Sequence, residues 1–261
     1  MKRETGKIVR KFDSVNEFSR CLNSRTNKIF ESAILSSDGK DFSFYGTKDY
    51  DEANSLMKYG DKESYSLVSK ELKRMNARGN FGRITRKRTC ASVVGFAPIV
   101  PNALMGLPQT MMNEVKIEKP NNKIYTIVYN STVSAFVDKN DIVKAGAALM
   151  NKILSIEAQG KRVNLFLMIA AMGNKQDVCF IVKIKDSGQY LDVLRCSYPV
   201  INPSFLRRHY FRFIETEKEL TDKSFVNGYG RPIKNKRDAE RFLKEANVKF
   251  DEYLNVEILN S

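Results

Sequence analysis

The sequence predicts an α/β protein: a three-layer sandwich around a mainly parallel sheet with one antiparallel strand, preceded by a helical N-terminal elaboration. Three observations carry this expectation. Lys123 to Tyr129 is rich in β-branched and aromatic residues and reads as a buried strand. A broad apolar helical face (Ile142, Val143, Ala147, Leu149, Met150, Ile153, Leu154) follows it and stops at Gly160. Arg162 to Ala170 is a second strand, and strand–helix–strand units normally give a right-handed parallel crossover.

The elements follow in order along the chain. Ser14-Val-Asn-Glu17 has capping-box spacing and opens a short helix through Phe18 and Leu22. Phe42, Phe44 and Tyr45 suggest an extended segment. Helices are expected from Tyr50 to Met57, ending near Gly60, and from Lys62 to Met75, where Leu67, Val68, Leu72 and Met75 share a face. The uncharged, apolar stretch from Cys90 to Met112 carries Pro98, Pro101 and Pro108, which predicts a strand followed by a wrapped, largely buried loop. These features divide the chain into a helical N-terminal elaboration with a basic segment, residues 1–89, and an α/β domain, residues 90–261.

After the central unit, Gly173-Asn174 between Leu165–Ala170 and Val178–Ile184 is a hairpin signal, so the third strand runs antiparallel to the second. Asn140 or Asp141 is the expected cap of the central helix. Gln189 to Ser197 reads as helical, and Asn202-Pro203-Ser204 opens a helix over Phe205 to Phe213. A charged helix to Ala246 and a final alternating strand, Tyr253 to Leu259, complete the reading.

Charge and composition narrow the function classes. With 44 Lys+Arg against 30 Asp+Glu, the formal balance is +14, which favours polyanions or an acidic partner. Residues 70–88 hold eight basic side chains against the single acid Glu71, whereas residues 201–261 are nearly balanced, twelve against ten. No apolar run approaches the roughly 20 residues that span a bilayer, and no secretory signal follows the N-terminus, so no membrane partner is expected. Four scattered cysteines, without a CxxC pair, read as free thiols in a reducing cytoplasm. There is no GxxxxGK[ST] motif and no GxGxxG after a strand. His209 is the single histidine and reads as a helix-surface or partly buried residue. Asp138 and Asp141 flank a helix start, where capping accounts for them.

Two groups of residues carry candidate binding chemistry. Asn130, Thr132 and Ser134 alternate in the loop that ends the first strand of the central unit, where open α/β sheets tend to bind ligands. Amide and hydroxyl oxygens at such spacing suit a hard cation. The second group is basic: Lys73, Arg74, Arg78, Arg83, Arg86, Lys87 and Arg88 could meet phosphates while Phe81 stacks on a base, and Arg207, Arg208 and Arg212 could extend that surface.

The Asn130–Ser134 spacing resembles the von Willebrand factor A family, whose metal-adhesion loop reads Asp-x-Ser-x-Ser after its first strand. That family's Rossmann-like core then runs helix, second strand and antiparallel third strand, as expected here. Asn130 stands where the family has Asp and Thr132 where it has the middle Ser, so the loop resembles a degenerate ion site for a weak divalent cation, magnesium or calcium. The family also draws on distal loop residues, for which Asp186, Asp192 and Asn202 are the candidates.

The ordered segments "FDSVNEF", "GTKDYDEANSLMKYGD", "VVGFAPIVPNALMGLPQTMM", "IVYNSTVSAFVDKNDIV" and "GYGRP" also resemble an uncharacterised family of phage- and plasmid-borne proteins. The resemblance implies a mobile-element origin in a host cytoplasm, with virion association as a further expectation. The reading that follows is a non-enzymatic adaptor or assembly protein that engages a protein partner through the Asn130 face. Its alternative is a nucleic-acid-binding protein that uses Lys70 to Arg88.

Overall fold

A computed structural model describes residues 6–39, 41–78, 87–116, 124–133 and 137–260. The fold is mixed α/β, with a mostly parallel main sheet and a small antiparallel sheet. The chain begins with β1 (Gly6–Phe12) and α1 (Val15–Leu22). The capping expectation holds at α1: Ser14 Oγ accepts from Glu17 N at 3.1 Å, and Glu17 reaches back to Asp13 N at 2.8 Å. Next come α2 (Phe42–Tyr45), α3 (Tyr50–Tyr59) and α4 (Lys62–Arg78). The extended reading of Phe42, Phe44 and Tyr45 is corrected. Asp41 Oδ1 accepts from Ser43 N and Phe44 N, and this cap outweighs the aromatic preference for strands.

The small sheet is formed by β2 (Lys87–Ser92), β3 (Ala97–Pro98) and β4 (Met111–Lys116), with α5 (Val100–Leu104) between the last two. Its tip corrects the expected buried loop. Val94, Leu104 and Met105 are 74%, 83% and 67% exposed, and among the described residues no apolar side chain of the lobe joins either hydrophobic core.

The main sheet uses β5 (Ile124–Asn130), β6 (Arg162–Met172) and β7 (Gln176–Lys185), with α6 (Lys139–Ala158) between the first two. Strands β5 and β6 pair in parallel, whereas β6 and β7 are antiparallel across the Gly173–Asn174 turn, as the sequence predicts. The cap of α6 is Asp138, two or three residues earlier than expected. Then follow α7 (Val193–Ile201), a π-wound helical segment (Phe205–Tyr210) that continues into α8 (Phe211–Thr216), β8 (Arg231–Pro232) and α9 (Lys236–Glu245). The chain closes with β9 (Glu252–Asn255) and α10 (Val256–Asn260). A final strand to Leu259 is therefore corrected. Asn255 Oδ1 accepts from Ile258 N and turns the chain into a helix.

The strand order is β1-β7-β6-β5-β9, with β8 on the end of β6. Both β9–β5 and β1–β7 are parallel pairs. The N-terminal segment thus supplies an edge strand of the main sheet, an element not expected in the helical N-terminal elaboration. Alternation sorts the side chains onto two faces. Ile127, Tyr129, Leu165, Leu167, Phe180 and Val182 face the core built with α1, α6, α7 and α8. Val128, Met168, Ala170 and Ile181 face the smaller core under α9, with Phe242 and Leu243. Strands covered on both faces explain the near-continuous apolar runs of β5 to β7.

Candidate functional site

In this sheet the chain leaves β5 for β6 on one side, and β9 lies against β5 on the other. The carboxyl ends of β5 and β9 therefore flank a topological switch point, the usual ligand position of open α/β sheets. A crevice of about 370 Å³ opens there, lined by Thr132, Val133, Asp138, Asp141, Lys234 and Glu257 among others. Asp138 holds the N-terminus of α6 through Asn140 N at 2.7 Å, and Lys234 reaches Glu257 at 3.2 Å. The capping expectation for Asp138 stands on that contact.

Asn130 sits beside this crevice but turns inward. Its Nδ2 donates to Ile233 O and to the Tyr253 hydroxyl, both at 2.8 Å, while its Oδ1 accepts from Thr132 N at 3.0 Å. Burial pushes the Tyr253 hydroxyl up to about 12, and it passes its own proton to Lys234 O at 2.9 Å. Thr132 Oγ1 accepts from Ala170 N at 3.0 Å, so the loop is tied to β6. One amide side chain thereby joins β5, β9, the segment before α9 and its own loop. Ser134 lies outside the described residues.

The distal candidates do not converge on Asn130. Asp186 follows β7, which runs antiparallel to β6, so it stands at the opposite end of the sheet. Asp186 and Asp192 line a separate crevice there, with Asp13, Lys183 and Arg195. Asn202 is committed to Asp61 Oδ2 and Ser204 N. Among the described residues, no three His, Cys, Asp or Glu side chains gather as a metal site would require.

The basic candidates separate into two sets. Lys73 and Arg74 are exposed on α4, where Arg74 pairs with Glu71 at 3.4 Å. Arg78 is the last residue of α4, and Lys87 and Arg88 begin β2. Phe81, Arg83 and Arg86 lie outside the described residues.

The expected extension through Arg207, Arg208 and Arg212 is corrected, because all three are committed to the protein. Arg208 is fully buried: it donates to Thr47 Oγ1 at 2.7 Å, Ser36 O at 3.0 Å, Gly39 O at 3.1 Å and Thr47 O at 2.9 Å. Its guanidinium lies 4.5 Å from the Tyr45 ring centre. Arg207 stacks on Phe44 and donates to its carbonyl. Arg212 holds Leu22 O, Ser24 O and Thr26 Oγ1. With their donors so engaged, Arg208 and Arg212 do not reach a phosphate.

His209 is also a core residue, not a surface one. Its Nδ1 lies 3.1 Å from the Tyr198 hydroxyl and its Nε2 3.1 Å from Asn54 Oδ1. Burial, assisted by the charge of Arg208, holds its pKa at about 3, below the ordinary imidazole value of 6.5. Between those values the unfolded chain binds a proton that the folded chain does not, so stability falls as pH drops from 6.5 towards 3. The expected slope from this group approaches about 1.4 kcal/mol per pH unit. Urea unfolding at pH 6, 5 and 4 checks it: His209→Gln should flatten the decline, and an unchanged slope would contradict the assignment.

The chain belongs to the family described as domain of unknown function DUF7192, whose model matches residues 2–256. No curated protein and no solved structure matches the chain.

Proposed function

We propose that this DUF7192 member is a non-enzymatic adaptor or assembly protein of a mobile element, and that it holds a protein partner at the carboxyl-end face of a von Willebrand A-like core. The core reading is supported by the run β5, α6, β6 and antiparallel β7, with β9 added beside β5. The observation that carries the functional reading is the crevice at the β5/β9 switch point, beside which Asn130 is turned inward and held by hydrogen bonds. In the family this core resembles, a cation at the loop captures a partner. Here Asn130 has no charge to offer an ion, and its oxygen is already an acceptor. Direct contacts from the rim, Asp141, Glu257 and Asn260, then carry the affinity.

The reading has a direct test. Captured partner should survive both nuclease and EDTA, and Glu257→Arg with Asn260→Arg should lower capture about tenfold or more. Both positions are exposed, and surface changes of this kind usually shift stability within about 0.5 kcal/mol. Loss of the partner on EDTA treatment would restore a bridging ion. Loss on nuclease treatment would favour the nucleic-acid alternative, now confined to the segment around Lys73 and Arg74 through Arg88.

A further inference from the structure

The lobe of residues 87–116 is amphipathic along its length. From Thr89 to Asn113, 25 consecutive residues carry no charged side chain. The tip exposes Val93, Val94, Phe96, Val100, Leu104 and Met105. At the root, Lys87 is in register with Lys116, and Arg88 is the next residue of β2. Contiguous exposed apolar surface of this kind marks an interaction site.

We infer that this tip inserts peripherally into an anionic bilayer surface, with the basic root held at the headgroups. This goes beyond the adaptor reading and does not depend on it. Three features select a bilayer over other occupants. First, six of the tip's backbone N–H groups are already paired within the lobe. The N–H groups of Phe96, Ile99, Ala103, Met105, Gly106 and Leu107 all donate within the lobe, and the Asn102 side chain covers Gln109 O. Pro98, Pro101 and Pro108 remove three more donors. Water would satisfy such groups at no cost, whereas a low-dielectric medium demands that they be paired.

Second, residues 89–113 contain no Trp, Tyr or Arg, the types that anchor protein interfaces, and offer aliphatic bulk instead. Third, the charge is complementary to anionic lipid and opposed to self-association, since a second copy would bring a second basic root to the first. The dimensions also agree. The five steps of ~3.4 Å between the six residues of β2 separate Lys87 from Ser92 by about 17 Å. With the tip immersed ~5–10 Å, the root stands about one Debye length, ~8–10 Å, from the headgroup boundary. Among the described residues no helix is long and apolar enough to cross a membrane, so the lobe lies on the bilayer and does not span it.

Cosedimentation of the full chain with vesicles tests the proposal. Vesicles of phosphatidylcholine with phosphatidylglycerol should carry the protein down, less so as salt rises, and phosphatidylcholine alone should carry little. Val94→Asp and Leu104→Asp should each weaken binding about tenfold or more, the worth of one buried aliphatic side chain. Both residues are exposed and outside the core, so thermal unfolding should be unchanged. Lys87→Ala with Arg88→Ala should remove the preference for anionic vesicles while leaving the tip intact. Three results would overturn the proposal: no sedimentation with either vesicle, sedimentation indifferent to the tip substitutions, or lipid-free self-association that those substitutions abolish. The last would assign the tip to a second copy of the chain. Partner capture lost in the tip variants without any vesicle binding would likewise overturn it, in favour of a protein groove.

Discussion

Arg208→Ala is expected to destabilise the protein by about 3–5 kcal/mol, the range for breaking a buried charged network. That is a large fraction of the ~5–15 kcal/mol by which domains are stable. The reason lies in what Arg208 holds. Its fork of donors gathers Ser36 O, Gly39 O and Thr47 O, carbonyls of a stretch whose one regular element is α2. Ser36 is gripped from both sides, because its N–H donates to Glu215 Oε1 at 2.7 Å. Glu215 is itself fully buried and also accepts from the Tyr229 hydroxyl at 2.6 Å. Removing Arg208 strands these acceptors and opens a void the size of the side chain. At roughly 2–4 °C per kcal/mol the midpoint should drop by about 6–20 °C. Differential scanning calorimetry reads this directly. Arg208→Lys should rescue little, since one ammonium cannot match a planar fork, and Arg207→Ala, half-buried, should cost far less. A near-native midpoint for Arg208→Ala would refute the clasp.

Asn130→Asp carries the second large effect, and its direction is counterintuitive. The substitution restores the acid of the ion-binding loop that this segment resembles. Yet Asn130 is fully buried, and its Nδ2 donates to a carbonyl and a hydroxyl. An aspartate oxygen there would face Ile233 O, two acceptors without a proton between them. An unpaired buried charge costs several kcal/mol or is forced to protonate. We expect about 3 kcal/mol of lost stability at neutral pH, measured by urea unfolding, with partial recovery as acidification neutralises the new carboxyl. Asn130→Ala should cost less, because it removes the donors without adding charge.

The central unit was legible because its signals are local. The β-branched run, the capped helix and the Gly173–Asn174 turn each act within a few residues, and β5, α6, β6 and β7 follow from them. What failed depended on distant partners. Strand β1 reads as mixed polar sequence, and Ile8 and Phe12 become core only by pairing with β7, Ile8 opposite Val178. Arg207, Arg208 and His209 look like a basic helix surface until the chain near Ser36 to Asn54 covers them from more than 150 positions away. The tip of the 87–116 lobe failed for the opposite reason. Hydropathy reports a preference for leaving water, not whether the chain satisfies it internally, and among the described residues nothing covers Val94 or Leu104. At the candidate site, the alternation of Asn130 and Thr132 singled out a loop whose Thr132 lines the crevice. That Asn130 spends its donors on Ile233 and Tyr253 was invisible, since both lie over 100 residues on.

The central claim is that the strand-end loop is closed by its own hydrogen bonds and meets its partner without an ion. Titration calorimetry of magnesium and calcium into the wild-type chain and Asn130→Ala tests it most directly. The account predicts no saturable heat in either protein. A saturable site in the wild type that Asn130→Ala abolishes would contradict it.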